Sequence, residues 1–305
     1  ELRRNVSRKL ERLAPLLKIF GLEARVVPPS AWASGSLAGS PTAILALGET
    51  TAVRDLRTRV ESADEAHGPV SADERLCDRL WRLPVPAPGA AALANHRSFH
   101  LRTARQLGIA LPNSRLLDQA LVKDDARLDD TLRADRLPSE ALGWLLKTPF
   151  SAAGSGHRAL LRNRLPLDDE TRSRIGSLVG LHGQLLLEPL MERLADFGCC
   201  ALLERGAVSV VSIHEQAIER NGSFRGLRIA ESTLSCPGLD PAEREALLQT
   251  AKDVGACLAE IEYVGAFGID AWRYVGDDGQ PRFQPLGEVN ARLTFGFVAR
   301  CAYER

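Results

Sequence analysis

Excess charge of either sign is missing from this sequence. Its 39 Lys and Arg balance its 39 Asp and Glu, leaving a formal net charge of zero and a pI near 7.2. Bulk charge therefore favours neither a nucleic-acid nor a membrane partner. The basic run Arg3, Arg4, Arg8, Lys9 and Arg12 reads as a solvated helix face. Long apolar runs are missing too, and none approaches the roughly 20 residues that span a bilayer. Aromatic residues make up only 5% of the chain, so no ring-binding box stands out. Six cysteines, at 77, 199, 200, 236, 257 and 301, include no CxxC pair, and no histidine lies near them at metal-finger spacing. That argues against a zinc site or a disulfide framework and for buried thiols in a reducing, cytoplasmic setting. A secretory leader pattern is absent as well. Finally, no Gly-Lys pair occurs anywhere, which excludes the P-loop.

With 305 residues, 45% of them hydrophobic, the chain can bury a sizeable core in two or three domains or subdomains. Residues 2 to 20 predict a helix, with Leu10, Leu13, Leu17 and Phe20 at three- and four-residue steps, stopped by Gly21. The segments "EARVV" and "TAILALG" predict short buried strands, an α/β opening over residues 1–90. The Pro-, Gly- and Ala-rich stretch 82–94 is the best candidate for a domain boundary. A helix is expected next, at "NHRSFHLRTARQLG". "WLLKTPF" and "GQLLLEPLM" predict strands, and "CCALLERGAVSVVSIH" a hairpin turning at Arg205-Gly206. Asp240, Pro241 and Glu243 form a helix-start signature ahead of the stripe Leu247, Ala251, Val254, Leu258 and Ile261.

The last hairpin carries chemistry. Glu288 and Asn290 are two apart and point to one face of their strand. Folding the strands back about residues 277 to 280 brings Asp270 opposite them. Two carboxylates and an amide oxygen so close call for a cation, and an all-oxygen set suits Mg²⁺, with Mn²⁺ as its substitute. Arg292 continues the same face and can grip a carboxylate or phosphate. The plain alternatives are solvent-facing carboxylates and an Arg292–Glu288 salt bridge.

A glycine loop is the second feature. Gly154-x-Gly156-x-x-Ala159 matches the dinucleotide fingerprint. A Rossmann turn, however, joins its strand tightly and opens a helix at once, whereas six residues separate Lys147 from Gly154 and Pro149 interrupts the strand end. A kinase-type loop would place its lysine after the glycines, not before.

Lys147, the loop Ser151 to Gly156, "LLLEPL" with Glu188, then Asp270 and Glu288-Val289-Asn290 occur in an order that resembles the ATP-grasp superfamily. That is the fold of D-alanine–D-alanine ligase, biotin carboxylase and glutathione synthetase. The resemblance covers residues 95 to 298. It implies an α+β fold: an N-terminal Rossmann-like domain over 1–90, then a module over 91–305 whose two subdomains grip ATP. The lid subdomain would span about 143–187 and the C-terminal subdomain 188–305. It implies that Lys147 contacts the nucleotide and its α-phosphate. Ser151, Ala152, Ala153, Gly154, Ser155 and Gly156 would cover the β- and γ-phosphates, and the backbone of Glu188, Pro189 and Leu190 would read adenine. Asp270, Glu288 and Asn290 would hold Mg²⁺. Arg97 stands where the family has a second basic residue, and Asp196 is the nearest acid for the ribose. Many members carry arginine two residues before the metal Asp; Gly268 stands there, leaving Arg225 and Arg228 as candidates for that role.

The resemblance further implies ATP-dependent ligation of a small-molecule or peptide carboxylate to an amine through an acyl phosphate, with Arg292 stabilising the tetrahedral oxyanion. A homodimer is common in the family. A kinase on the same fold and a non-catalytic ATP-binding protein are the alternatives, with a Rossmann oxidoreductase a distant fourth. His96, His100, His157, His182 and His214 read as structural or exposed, and His157, directly after the loop, is the one to test first.

Overall fold

The computed structural model of the chain describes residues 75–81, 83–84, 86–150, 156–219 and 224–304. The helix expected over 2–20 and the strands "EARVV" and "TAILALG" lie outside the described residues. Helix α1 (Leu76–Trp81) comes first. The Pro- and Ala-rich stretch is not a bare linker: Pro88, with its pre-set φ, opens helix α2 (Pro88–Asn95), whose Ala90 and Ala94 enter the core. His96, in an extended conformation, breaks the helix and caps α3 (Arg97–Gln106), its ring accepting from the Ser98 N–H at 3.1 Å. Next along the chain are β1 (Arg115–Asp118), α4 (Gln119–Val122), α5 (Asp125–Leu132), β2 (Gly143–Lys147), β3 (His157–Leu161) and α6 (Asp169–His182).

A second group completes the described chain: β4 (Gln184–Leu190), β5 (Arg193–Glu204), β6 (Ala207–Ile218), β7 (Phe224–Ile229), α7 (Pro241–Glu260), β8 (Gly265–Val275), β9 (Pro281–Asn290) and α8 (Phe295–Tyr303). Arg205 and Gly206 turn the β5–β6 hairpin with φ of 51° and 78°, the left-handed pair that a two-residue hairpin favours.

These strands form two antiparallel sheets, one of four in the order β1-β4-β2-β3 and one of five in the order β7-β6-β5-β8-β9. Directly paired residues in an antiparallel ladder share a face. Lys147 pairs with His157 and Leu145 with Glu188, so these four side chains occupy one face of the four-stranded sheet. Trp144, Leu146, Leu160 and Leu187 occupy the other and pack on Leu128, Ile175 and Val179 of α5 and α6. In the five-stranded sheet, Phe197, Cys199, Ile269, Ala271 and Val289 pack against the stripe of α7. That helix has the expected capping box: Asp240 accepts from the Glu243 N–H at 2.8 Å and Glu243 from the Asp240 N–H at 3.1 Å. The opposite face carries Gly198, Cys200, Gly268, Asp270, Glu288 and Asn290. Phe297 and Cys301 of α8 cover its Cys200 end.

Candidate functional site

The two polar faces meet at the N-terminal end of α3, which is tied to the end of β2 by a hydrogen bond from the Arg97 N–H to the Pro149 carbonyl at 3.1 Å. Lys147 and Glu188 share their sheet face and form a buried ion pair at 2.5 Å between Nζ and Oε2. His100 Nε2 reaches the other oxygen of Glu188 at 3.3 Å. Burial pushes the Glu188 carboxyl up, but the Lys147 charge beside it, then His100, outweigh burial and hold it well below the usual carboxylate range. Across the cleft, Arg97 Nη1 pairs with Glu288 Oε1 at 2.8 Å, with only 5% and 21% of the two side chains exposed. Burial raises Glu288; Arg97, then Lys147 and Arg292, prevail and lower it.

The hairpin register agrees with the expectation from sequence. Asp270 is the direct partner of Glu288, and Asn290 lies one pair further along, opposite Gly268. Asp270 accepts from both sides: Gln216 Nε2 donates to Oδ1 at 2.8 Å and Asn290 Nδ2 to Oδ2 at 2.9 Å. Burial, then the nearby Glu288 charge, push its pKa up against these bonds and Arg292. An oxygen-ligated cation fits this donor set. Two carboxylates repel each other in a dry pocket, and Asn290, having spent its N–H on Asp270, keeps its carbonyl oxygen as a donor.

Arg292 does not pair with Glu288 by hydrogen bond. Its Nη1 donates to Asn95 Oδ1 at 3.1 Å, and Asn95 also accepts from the Ala291 N–H at 3.0 Å and donates to the Ala291 carbonyl at 3.1 Å. Asp196 shares the polar face but is engaged by Arg193 at 2.8 Å. Pro189 and Leu190 continue β4 beyond the end of β1, paired with Trp144 and Gly143 of β2. Gly156 has φ of 80°, and a Cβ there would lie 2.4 Å from Thr148 Oγ1, so the loop closes on a glycine for both reasons. Ser151, Ala152, Ala153, Gly154 and Ser155 lie outside the described residues. Gly156 leads into strand β3 and not into a helix, which removes the dinucleotide turn. The exposed Arg225 and Arg228 pair with Glu219 and Glu215. At Gly268 a Cβ would already touch Thr294 Cγ2 at 3.1 Å, so this position has no room for arginine.

His157 points into the same cleft. Its Nε2 is buried and has no hydrogen-bond partner among the described residues. Burial, then the charges of Lys147 and Arg97, lower its pKa to about 4 against the pull of Glu288. An open cleft of about 410 Å³ at the end of β2 and β3 is lined by Thr148, Phe150, Gly156, His157 and Arg158 and by Leu178 and His182 of α6, so His157 stands between this opening and the ion-paired residues.

Three residues of this network escaped the sequence reading. His100 had a signal: it lies three positions after Arg97, on the same face of a helix. Gln216 and Asn95 had none, because each reaches a partner set by sheet order or by helix placement across the chain.

The fold is mixed α+β, with two antiparallel layers whose polar faces converge on clustered cations and carboxylates. It is the ATP-grasp fold. Solved structures with the same fold include a biotin carboxylase from Campylobacter jejuni, crystallised as a β-γ-ATP complex. It is 16% identical, with 72% of this chain and 48% of that chain covered and a TM-score of 0.50. A pyruvate carboxylase variant from Rhizobium etli is 19% identical, with 81% of this chain and 21% of that chain covered and a TM-score of 0.50. This chain thus spans about half the length of the first and about a fifth of the second. No protein-family model and no curated protein sequence matches the chain.

Proposed function

We propose that this chain is an ATP- and Mg²⁺-dependent ligase that joins a carboxylate to an amine through an acyl phosphate and releases ADP and phosphate. One observation carries the reading. Lys147 and Arg97 are brought against Glu188 and Glu288 where the polar faces of the two sheets meet, beside the Asp270–Asn290 pair. The likeness of fold to a biotin carboxylase solved with β-γ-ATP agrees with a nucleotide there.

ATP would lie between the layers, the four-stranded sheet acting as the lid. Lys147 would meet the α-phosphate, the loop 151–156 the β- and γ-phosphates, and the backbone of Glu188 to Leu190 the adenine. Arg97 would turn from Glu288 to a phosphate oxygen. Asp270, Glu288 and Asn290 would hold Mg²⁺, which supplies charge neutralisation between the β- and γ-phosphates when bound. A carboxylate oxygen of the first substrate attacks the γ-phosphorus, and the bond to the β-phosphate oxygen breaks to leave ADP. The amine then adds to the acyl carbon, Arg292 holding the oxyanion, and phosphate departs while the amine proton passes to solvent. The residues mainly position and neutralise, as phosphoryl transfer requires. Closure over the loop keeps water from hydrolysing the acyl phosphate.

The partners proposed are a small-molecule or peptide carboxylate and an amine, with part of the acceptor pocket supplied by the N-terminal segment, and a homodimer as the assembly. An ADP-release screen of carboxylates against amines, with mass spectrometry of products, tests this. ADP formation should require both partners and yield the condensed product, and Glu288→Gln should abolish it. ADP formed with the carboxylate alone, accompanied by a stable phosphorylated product, would convert the reading to a kinase.

A further inference from the structure

His157 Nε2 is a buried polar atom that has no hydrogen-bond partner among the described residues. The charged groups around it are matched in pairs. Lys147 is held by Glu188, Arg97 by Glu288, Asp270 by Gln216 and Asn290, and Arg292 by Asn95. Leaving a nitrogen dry and unbonded costs free energy, a cost that an arriving hydrogen-bond acceptor removes. The register fixes where that nitrogen sits. His157 is the direct cross-strand partner of Lys147, so its ring stands beside the lysine on the cleft face of the sheet. Charges from three further elements act on it: Arg97 of α3, Glu288 of β9 and Arg193 of β5. The ring therefore lies on the Lys147 face of the sheet, at the edge where an open cleft is also lined by Thr148, Gly156 and His182 of α6.

Taking this cleft as a Mg-ATP site, we propose that His157 is a polyphosphate-binding residue, its Nε2–H donating to a phosphate oxygen next to Lys147. Phosphate oxygens only accept, so the ligand selects the tautomer with hydrogen on Nε2. A neutral ring suits the place. Two cations already flank it, and a third full charge would repel them, whereas an N–H adds a directed bond without that repulsion. A bond to a charged acceptor is also among the stronger kinds. Gly156, whose φ of 80° and close approach to Thr148 leave no room for a side chain, immediately precedes it at the start of β3.

Equilibrium titration of the full chain with ATP and with adenosine, both in Mg²⁺, tests this in the wild type, His157→Ala and His157→Gln. His157→Ala should weaken ATP by about ten-fold or more and leave adenosine, measured by competition, nearly unchanged. His157→Gln, whose amide nitrogen reaches the place of Nε2, should recover most of the loss. Equal ATP binding by wild type and His157→Ala would overturn the assignment. So would an equal loss for ATP and adenosine in both variants, which would mark a packing role. Failure of the wild type to bind Mg-ATP would instead overturn the reading of the cleft itself, and this inference with it.

Discussion

At the scale of single residues, the site is a set of charges taken out of water and matched to one another. The Lys147–Glu188 pair is nearly fully buried, with 4% and 8% of the side chains exposed. Such a pair is weak as a source of stability, because desolvation offsets the Coulomb gain. On the proposed reading, its value lies in holding an ammonium dry, where a phosphate would claim it. The histidines make this scale visible in pH. His214 is buried, and burial, then the Arg300 charge, lower its pKa to about 4 from the ordinary 6.5. The folded protein therefore favours the neutral ring. Above pH 6.5 the ring is neutral in both folded and unfolded chains, and nothing is lost. Between pH 6.5 and about 4 the unfolded chain takes up a proton that the folded chain refuses, so stability falls as pH falls. A shift of this size corresponds to on the order of 3 kcal/mol. His157 acts in the same direction, and the depressed Glu188 adds a loss only below its ordinary carboxylate range. Chemical-denaturation midpoints measured from pH 7.5 down to 4 should show this acid limb, and His214→Asn should make it shallower. An unchanged limb in that variant would show that His214 does not carry it.

At the scale of elements, helix α3, strands β2 and β4, the hairpin at Arg205-Gly206, helix α7 and the last hairpin were legible from local pattern alone. Helix α7 announces itself through Asp240, Pro241 and Glu243, and its stripe faces the sheet as its spacing requires. The last hairpin was legible because a strand alternates with period two, so that placing one turn places Asp270 against Glu288. The rest depends on sheet order, which local pattern does not encode. Gln216 reaches Asp270 only because β5 lies between β6 and β8 and carries a glycine in the intervening position. A Cβ on Gly198 would come within 2.3 Å of His214 Nε2 and 2.7 Å of Gln216 Nε2. Gly198→Ala should therefore displace Gln216 from Asp270 and cost about 1–3 kcal/mol through overpacking. Denaturant titration should show that loss, and the concentration of Mg²⁺ needed to support ATP binding should rise. A variant as stable as the wild type, with the same Mg²⁺ requirement, would mean that the strand shifts to make room. The same kind of long-range dependence hid the pairing of Arg97 with Glu288. A reading of the hairpin alone offers Glu288 to Arg292, but helix α3 delivers Arg97 instead, and Asn95 draws Arg292 toward Ala291.

At the scale of the whole molecule, one antiparallel layer carries Lys147 and Glu188 on its polar face, the other carries Asp270 and Glu288, and helix α3 sets Arg97 against Glu288. In the structure those charges satisfy each other: Arg97 lies on Glu288 and Lys147 on Glu188. Polyphosphate and a divalent cation would each take over one half of the Arg97–Glu288 pair, so each should bind better in the presence of the other. Calorimetric titration of ATP into the protein, with and without Mg²⁺, for the wild type and for Glu288→Gln, tests this most directly. A single Mg-ATP per chain is predicted for the wild type, at least ten-fold weaker without Mg²⁺, with the metal dependence lost in Glu288→Gln while the folded state persists. Binding of ATP that is equally tight with and without Mg²⁺, or a Glu288→Gln variant that keeps the full metal dependence, would contradict it.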